Sequence, residues 1–393
     1  MTIGAADLTG LRAIKEVTWG VTPGSGNLTQ IRFTGESLSA NLETTKSKEI
    51  RPDRMTSDLV AVGQAAGGSF EFESSYGAFD DWMEGALFNT FSADLAIIGA
   101  AADIASDASG FTCTDTAKMD AIVPGQWIKV AGFATNSGEN NGYYRVLTAT
   151  NGSGAITTSP VPPSVETPAG TDAEIHGSMI RNGILPQSYS IEKRFTGLDT
   201  TTYQTFPGSM VAGFSQNYAV GELLTGSVEV LSKEGPMNET GFSGLTDTPA
   251  SAFDIYNAVN NMKNILIDDV ASTQSYLTLS LEVGNNLRGQ KAIGALGNVG
   301  VGVGKLDISG SISVYFEDKT EMDKFTNNTA FSLSYRLEDA AGNAYIYTYG
   351  RVKYDALTVV AGGENTDLVA EGSWTAILDT ASNSMIQIDK FAA

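Results

Sequence analysis

Gly68–Phe88 reads GSFEFESSYGAFDDWMEGALF, and Gly310–Asn328 reads GSISVYFEDKTEMDKFTNN. Each opens on Gly-Ser, passes through a short alternating run and turns through acids into an amphipathic stretch. In the first, Phe70 and Phe72 share one side and Glu71 and Glu73 the other, the period of a half-buried strand. Phe79, Trp82, Met83 and Leu87 then fall on one helical stripe, which predicts a helix over 77–88 anchored by those side chains. Gly85 within it weakens that helix. In the second, Met322 and Phe325 form a shorter stripe, and a helix is expected over 318–327. Asp318 and Glu321 have the spacing of a capping box there.

Working outward, the flanking runs match in order. YLTLSLEV (276–283) corresponds to IRFTGESL (31–38), FSLSYRLED to YSIEKRFTG, YIYTYGRVKY to YQTFPGSMVA, and GSWTAIL (372–378) to GSVEVL (226–231). Gly310 and Gly372 lie 62 positions apart, whereas Gly68 and Gly226 lie 158 apart. The excess is close to the length of 93–178, a segment rich in Ala, Thr, Gly, Ser and Pro. Its runs GQWIKVAGF and NNGYYRVLTAT read as two strands with Asn-Gly turn chemistry. The reading is a duplicated β-domain whose first copy carries an insertion. It assigns 1–92 with 179–250 to the first copy, 93–178 to a small inserted β-domain, and 251–393 to the second copy. Residues 51–64 read as loop.

The chain has 393 residues, 43 of them glycine, and a formal net charge of −21. A surface that grips nucleic acid needs clustered Lys and Arg, and this balance has the opposite sign. Residues 93–178 hold nine acids and three bases, so −15 of the charge belongs to the rest. No basic leader with an apolar core opens the chain and no run of ~18 apolar residues occurs, so neither a signal peptide nor a membrane span is expected.

Little here points to catalysis. The one histidine, His176, and the one cysteine, Cys113, rule out a Cys-rich zinc site or an internal disulfide and read as structural residues. GVGVGKL lacks the residues of a phosphate loop, with Leu306 where a Ser or Thr would reach magnesium. Asp80–Asp81 and Glu317–Asp318 read as helix-start acids. Asp268–Asp269 lacks calcium-loop spacing. No catalytic residue, metal or cofactor is expected.

EVTWGVTP (16–23), FTGESLSANLETTKSKEIRPDR, GGSFEFESSYGAFDDWMEGALF, YSIEKRF, FPGSMVAGFSQNYAVGELLTGSVEVLSKE and GSISVYFEDKTEMDKFTNN occur in that order. Together they resemble the tail tube (major tail) proteins of long-tailed bacteriophages. The resemblance implies a mainly β fold, two tandem sandwich or half-barrel domains each flanked by one helix. Strands of neighbouring subunits would complete a barrel around a channel, three duplicated chains making a pseudo-sixfold ring in preference to a hexamer. It implies a loop reaching the adjacent ring at 44–66, carrying Lys46, Lys48, Glu49, Arg51, Asp53, Arg54 and Asp58, with a counterpart at 288–304. An N-terminal arm, 1–28, would brace neighbours, and the insert would project outward. The implied partners are further copies, tail terminator, tape measure and tail-tip proteins. DNA would pass through without specific binding, in a virion tail assembled in the host cytoplasm. Candidate channel-lining acids are Glu36, Glu71, Glu73, Glu229 and Glu282. The alternatives are another virion protein, at the tail tip or as a decoration, and a carbohydrate-binding β-protein. The last would need exposed aromatics, and Trp19, Trp82, Trp127 and Trp374 are scattered.

Overall fold

A computed structural model describes residues 4–98, 103–134, 138–167 and 173–393. The first three residues of the expected arm, and Asp172 among the insert acids, lie outside them. The fold is mainly β, with two short α-helices among the described residues, α1 (Asp80–Leu87) and α2 (Thr320–Thr326). The chain divides into two compact units. One comprises 1–89, 183–258 and 276–313, the other 90–182, 259–275 and 314–393.

In the first unit the strand Leu59–Glu73 pairs with Ser39–Lys46, Gly35–Glu36 and Thr225–Ser232. Thr225–Ser232 pairs in turn with the 18-residue strand Thr202–Ala219. That long strand has two neighbours in succession along its other edge. Tyr189–Phe195 covers its first part, and Tyr276–Gly284 covers Gly213–Ala219. One face of this sheet is apolar and packs on α1: Phe72 stacks on Phe79 at 3.9 Å, and Trp82 meets Phe70 at 4.9 Å and Tyr189 at 4.8 Å between ring centroids. Phe79, Trp82 and Met83 are buried in this contact. Gly85 has a packing reason to interrupt the helix, because a Cβ there would lie 2.7 Å from Val211 and 2.9 Å from the Tyr189 ring.

Part of the segment expected as an arm belongs to the sheet. Thr9–Lys15 pairs along its whole length with Tyr189–Phe195, with Leu11 and Ile14 buried. The expected loop 51–64 is shorter than expected, because strand structure resumes at Leu59 and carries Val60 and Val62 into a two-stranded hairpin.

In the second unit the 18-residue strand Ala344–Ala361 pairs with Phe331–Glu338 and Gln387–Phe391 over its first part and with Leu368–Ala376 over its second. Among the described residues, seven short strands between Ile97 and His176 form a separate sheet around a core that includes Phe111, Ile128, Tyr144 and Ile175. Cys113 belongs to this core, and burial pushes its thiol pKa up. Within the same unit Trp127 is anchored through its backbone N–H to Asp389 (3.1 Å) and its Nε1 to Thr348 (3.0 Å).

α2 departs from expectation. Its most buried residue is Glu321, which accepts a hydrogen bond from Tyr354 (2.7 Å) and pairs with Lys324 (3.0 Å). Met322 and Phe325 are only half-buried. The expected capping box does not form, because Glu321 turns to Tyr354 while Asp318 caps the Thr320 N–H at 2.7 Å. A further strand, Met262–Ile267, turns at Asp268 and Asp269, both at positive φ, into Val270–Ala271.

Candidate functional site

The candidate site is the other face of the first unit's sheet. Side chains alternate across a strand, so burying Phe70, Phe72, Phe214 and Val228 turns their neighbours to the opposite side. Cross-strand register lines those neighbours into rows. Glu71 lies opposite Ser227, Ser227 opposite Ser215, and Ser215 opposite Glu282. One row along, Ser69 faces Glu229 and Glu229 faces Gly213, which is followed by Gly284. In the other direction Glu73, Thr225, Asn217 and Ser280 follow one another. Ser215 and Ser227 share a hydrogen bond at 2.9 Å, and Ser280 and Ser311 one at 2.8 Å.

The surface is thus small, hydroxylated and acidic. Glu71, Glu229 and Glu282 are exposed and Glu73 is half-buried, and Asp307 joins them where Asn286 donates to it at 2.8 Å. A shallow concavity runs over Ser215, Ser227, Glu229, Glu282, Asp307 and Ser309. The strands Leu59–Glu73, Thr202–Ala219, Thr225–Ser232, Tyr276–Gly284 and Asp307–Tyr315 contain no Lys or Arg. The base next to the face is Lys305, outside the strands, with its Nζ 3.8 Å from Asp307. Four of the five acids singled out in the sequence, Glu71, Glu73, Glu229 and Glu282, share this face. Glu36 is held aside: it pairs with Lys193 at 2.5 Å and accepts the Leu38 N–H at 2.9 Å. Asp307 and the serine rows escaped sequence reading, because register, not composition, brings them together. In the second unit the strand pair Ala344–Ala361 and Leu368–Ala376 carries both signs, with Arg351, Asp355 and Glu371 exposed.

The charged loop is the tip of the hairpin formed by Ser39–Lys46 and Leu59–Glu73. Lys46, Lys48, Glu49, Arg51, Asp53, Arg54 and Asp58 are all exposed. Arg51 pairs with Asp53 at 2.7 Å, and its hydrogen bond holds the Asp53 carboxyl below the usual range. Ile50 and Met55 are exposed beside them. Its expected counterpart lies against the strands of the hairpin: Lys291 pairs with Glu43, and Gln64 donates its N–H to the Leu296 carbonyl at 2.8 Å.

Other candidate chemistry is accounted for structurally. His176 bridges Asp94 (2.9 Å) and Glu174 (3.0 Å). Partial burial disfavours the charged ring, but the hydrogen bonds to these carboxylates outweigh it and raise the pKa. Asp268 caps the Ser332 N–H, and Asp269 pairs with Arg145. Trp82, Trp127 and Trp374 are buried, and Trp19 donates its Nε1 to the Gly208 carbonyl, so none is an exposed sugar platform. Among the described residues no group of three or more His, Cys, Asp or Glu could hold a metal ion, and no helix is long and apolar enough to cross a membrane.

Compared with known families, the chain matches the phage tail tube protein family over residues 7–376. No curated protein matches it.

Proposed function

Because the chain belongs to the phage tail tube protein family, we propose that it is a non-enzymatic wall subunit of a tail tube. Its copies close into stacked rings around a channel that carries DNA from the virion, and the acidic sheet face lines that channel. The observation that carries this reading is the cation-free face of five strands bearing Glu71, Glu73, Glu229, Glu282 and Asp307. Duplex DNA carries one charge per ~1.7 Å of axis and binds basic surfaces by releasing counterions. An acidic wall keeps it at a distance of roughly a Debye length, ~8 Å. Serine and glycine between the acids keep the wall smooth.

Three chains per ring follow if each contributes two wall domains. The element lengths support a duplication: the long strands Thr202–Ala219 and Ala344–Ala361 both have 18 residues. They are also bulged at matching places. Pairing slips between Tyr189 and Ile191 opposite Ser209 and Phe206, and between Phe331 and Leu333 opposite Val352 and Tyr349. It slips again between Val211 and Gly213, and between Tyr354 and Ala356. Ser74 donates its N–H to Leu224, and Phe316 to Leu368. This alignment sets Gly372 against Val228, two residues from the Gly226 that the Gly-Ser strings suggest.

The exposed hairpin tip at 47–58, with Ile50 and Met55 beside its charges, supports a reach to the next ring. Tail terminator, tape measure and tail-tip proteins are the remaining expected partners.

The test uses Ser227→Cys, since Cys113 is buried. A long polyethylene-glycol maleimide should label the unassembled chain and be excluded from tubes, while a small maleimide labels both. Equal labelling of tubes and free chain by the long reagent puts the face outside and overturns the channel assignment.

A further inference from the structure

The two long strands differ in one respect. In the first, the edge beyond Tyr189–Phe195 is filled by Tyr276–Gly284, with Gly213 opposite Gly284 and Ala219 opposite Thr278. In the second, the equivalent edge begins after Val352, where Phe331–Glu338 ends. Among the described residues, no strand pairs with Ala356–Ala361 on that side. Its other side is taken by Leu368–Ser373.

A segment that would fill this gap is also present with one edge open. Ser280 and Ser311 share a hydrogen bond, and Ser280 Oγ accepts the Ser311 N–H at 2.8 Å. Ser37 and Ser69 repeat this, with the Ser69 N–H donating to Ser37 Oγ at 3.0 Å. Gly35–Asn41 is therefore the first-copy counterpart of Thr278–Gly284. It pairs with Leu59–Glu73 on one side. Among the described residues no strand covers its other side.

We propose that Gly35–Asn41 of one copy of this chain adds as an antiparallel strand to Ala356–Ala361 of a second copy, in the register already used inside the chain. The inference rests on the tail-tube reading and specifies its seam. Transferring the internal register sets Ser39 opposite Thr358, Leu38 opposite Val359 and Ser37 opposite Val360. Leu38 and Leu357, both buried, then fall on the core side and Ser39 and Thr358 on the polar side, as the alternation of the sheet requires. A joint between two different edges is heterologous, and such joints close into a ring when their rotation closes.

The same register gives Glu36 a role. Leu281 and Gln216 are a hydrogen-bonded pair, because the Val220 N–H to Leu277 carbonyl bond fixes the alternation. The Leu38 N–H would therefore donate to the Val359 carbonyl across the seam. In the free chain that N–H is held by the Glu36 carboxylate. Glu36 guards an edge that would otherwise pair indiscriminately, and it must release Leu38 for the seam to form.

The test is oxidative cross-linking of the full chain under assembling conditions. Ser39→Cys with Thr358→Cys places the thiols at a non-hydrogen-bonded pair, where side chains approach closely. A ladder of covalent dimers and trimers is expected, with little product from Ser39→Cys with Ala356→Cys, which is one diagonal step away. A ladder favouring the 39/356 pair overturns the register. Tubes without a ladder overturn the seam and leave the tail-tube reading standing. Neither tubes nor ladder overturns both. Glu36→Ala should shorten the lag before assembly, and a longer lag removes the guard role.

Discussion

Glu16 explains why EVTWG stands out in the sequence. Its carboxylate accepts from the backbone N–H groups of Gly20 (2.7 Å) and Gly208 (2.8 Å) and from the hydroxyls of Ser188 (2.7 Å) and Ser190 (2.6 Å). Gly20 sits at φ +72°, which favours glycine, and Trp19 closes the turn on Gly208. Removing the carboxylate strands several buried donors, each costing about 1–3 kcal/mol. Glu16→Ala should therefore lower stability by about 3 kcal/mol or more, read by chemical denaturation; a loss within experimental error contradicts the role. Asp389 has the opposite character. Burial pushes its carboxyl up to about 7, although Gln387 and the Trp127 N–H bond it. The unfolded chain gives up this proton near pH 4, so between about pH 4 and pH 7 the folded state binds more protons. Stability from this group is present below pH 4, falls as pH rises to about 7 and is flat above, by on the order of a few kcal/mol. Denaturation across that range should show the decline, and Asp389→Asn should remove this contribution; an unchanged slope contradicts it. Neither network can be assembled from the sequence, because Ser188, Ser190 and Gly208 lie far along the chain from Glu16, and Trp127 far from Asp389.

At the scale of elements, much was legible. Period-two alternation located Leu59–Glu73 near its end and Tyr276–Gly284, because one face of each is buried and the other polar. α1 was legible from its apolar stripe, which buries against the sheet. α2 was misjudged in detail, since its inward contact is made by a carboxylate, and pattern rules count Glu321 as a surface residue. Met262–Ile267 was missed because it is only half-buried and turns at Asp-Asp instead of a glycine pair. The start of Leu59–Glu73 was missed because both faces of the hairpin are exposed there, so no apolar period marks it. Such a hairpin gains little from burial within its own chain, which fits a contact made on assembly. Deleting 48–57 and closing the hairpin with a two-residue turn should leave the chain folded and forming rings, but shorten or abolish tubes in electron micrographs. Tubes of normal length contradict the inter-ring role.

At the scale of the molecule, charge and family point the same way while topology adds what neither shows. The net charge of −21 could belong to any acidic protein. It acquires meaning once register gathers Glu71, Glu229 and Glu282 on one face whose strands carry no base. The proposed repeat is read in the sequence from element order alone, whereas the alignment proposed for it rests on bulges and serine pairs that composition cannot reveal. The division into compact units could not be read from the sequence, because Tyr276–Gly284 pairs with Thr202–Ala219 and joins its unit. The central claim is a ring of three such chains with an acidic inner wall. Electron cryomicroscopy of the purified protein, averaged down the ring axis, tests it most directly. Threefold rings with six similar inner lobes and the Glu71–Glu282 face turned to the channel are expected. True sixfold rings, or that face turned to the outside, would contradict it.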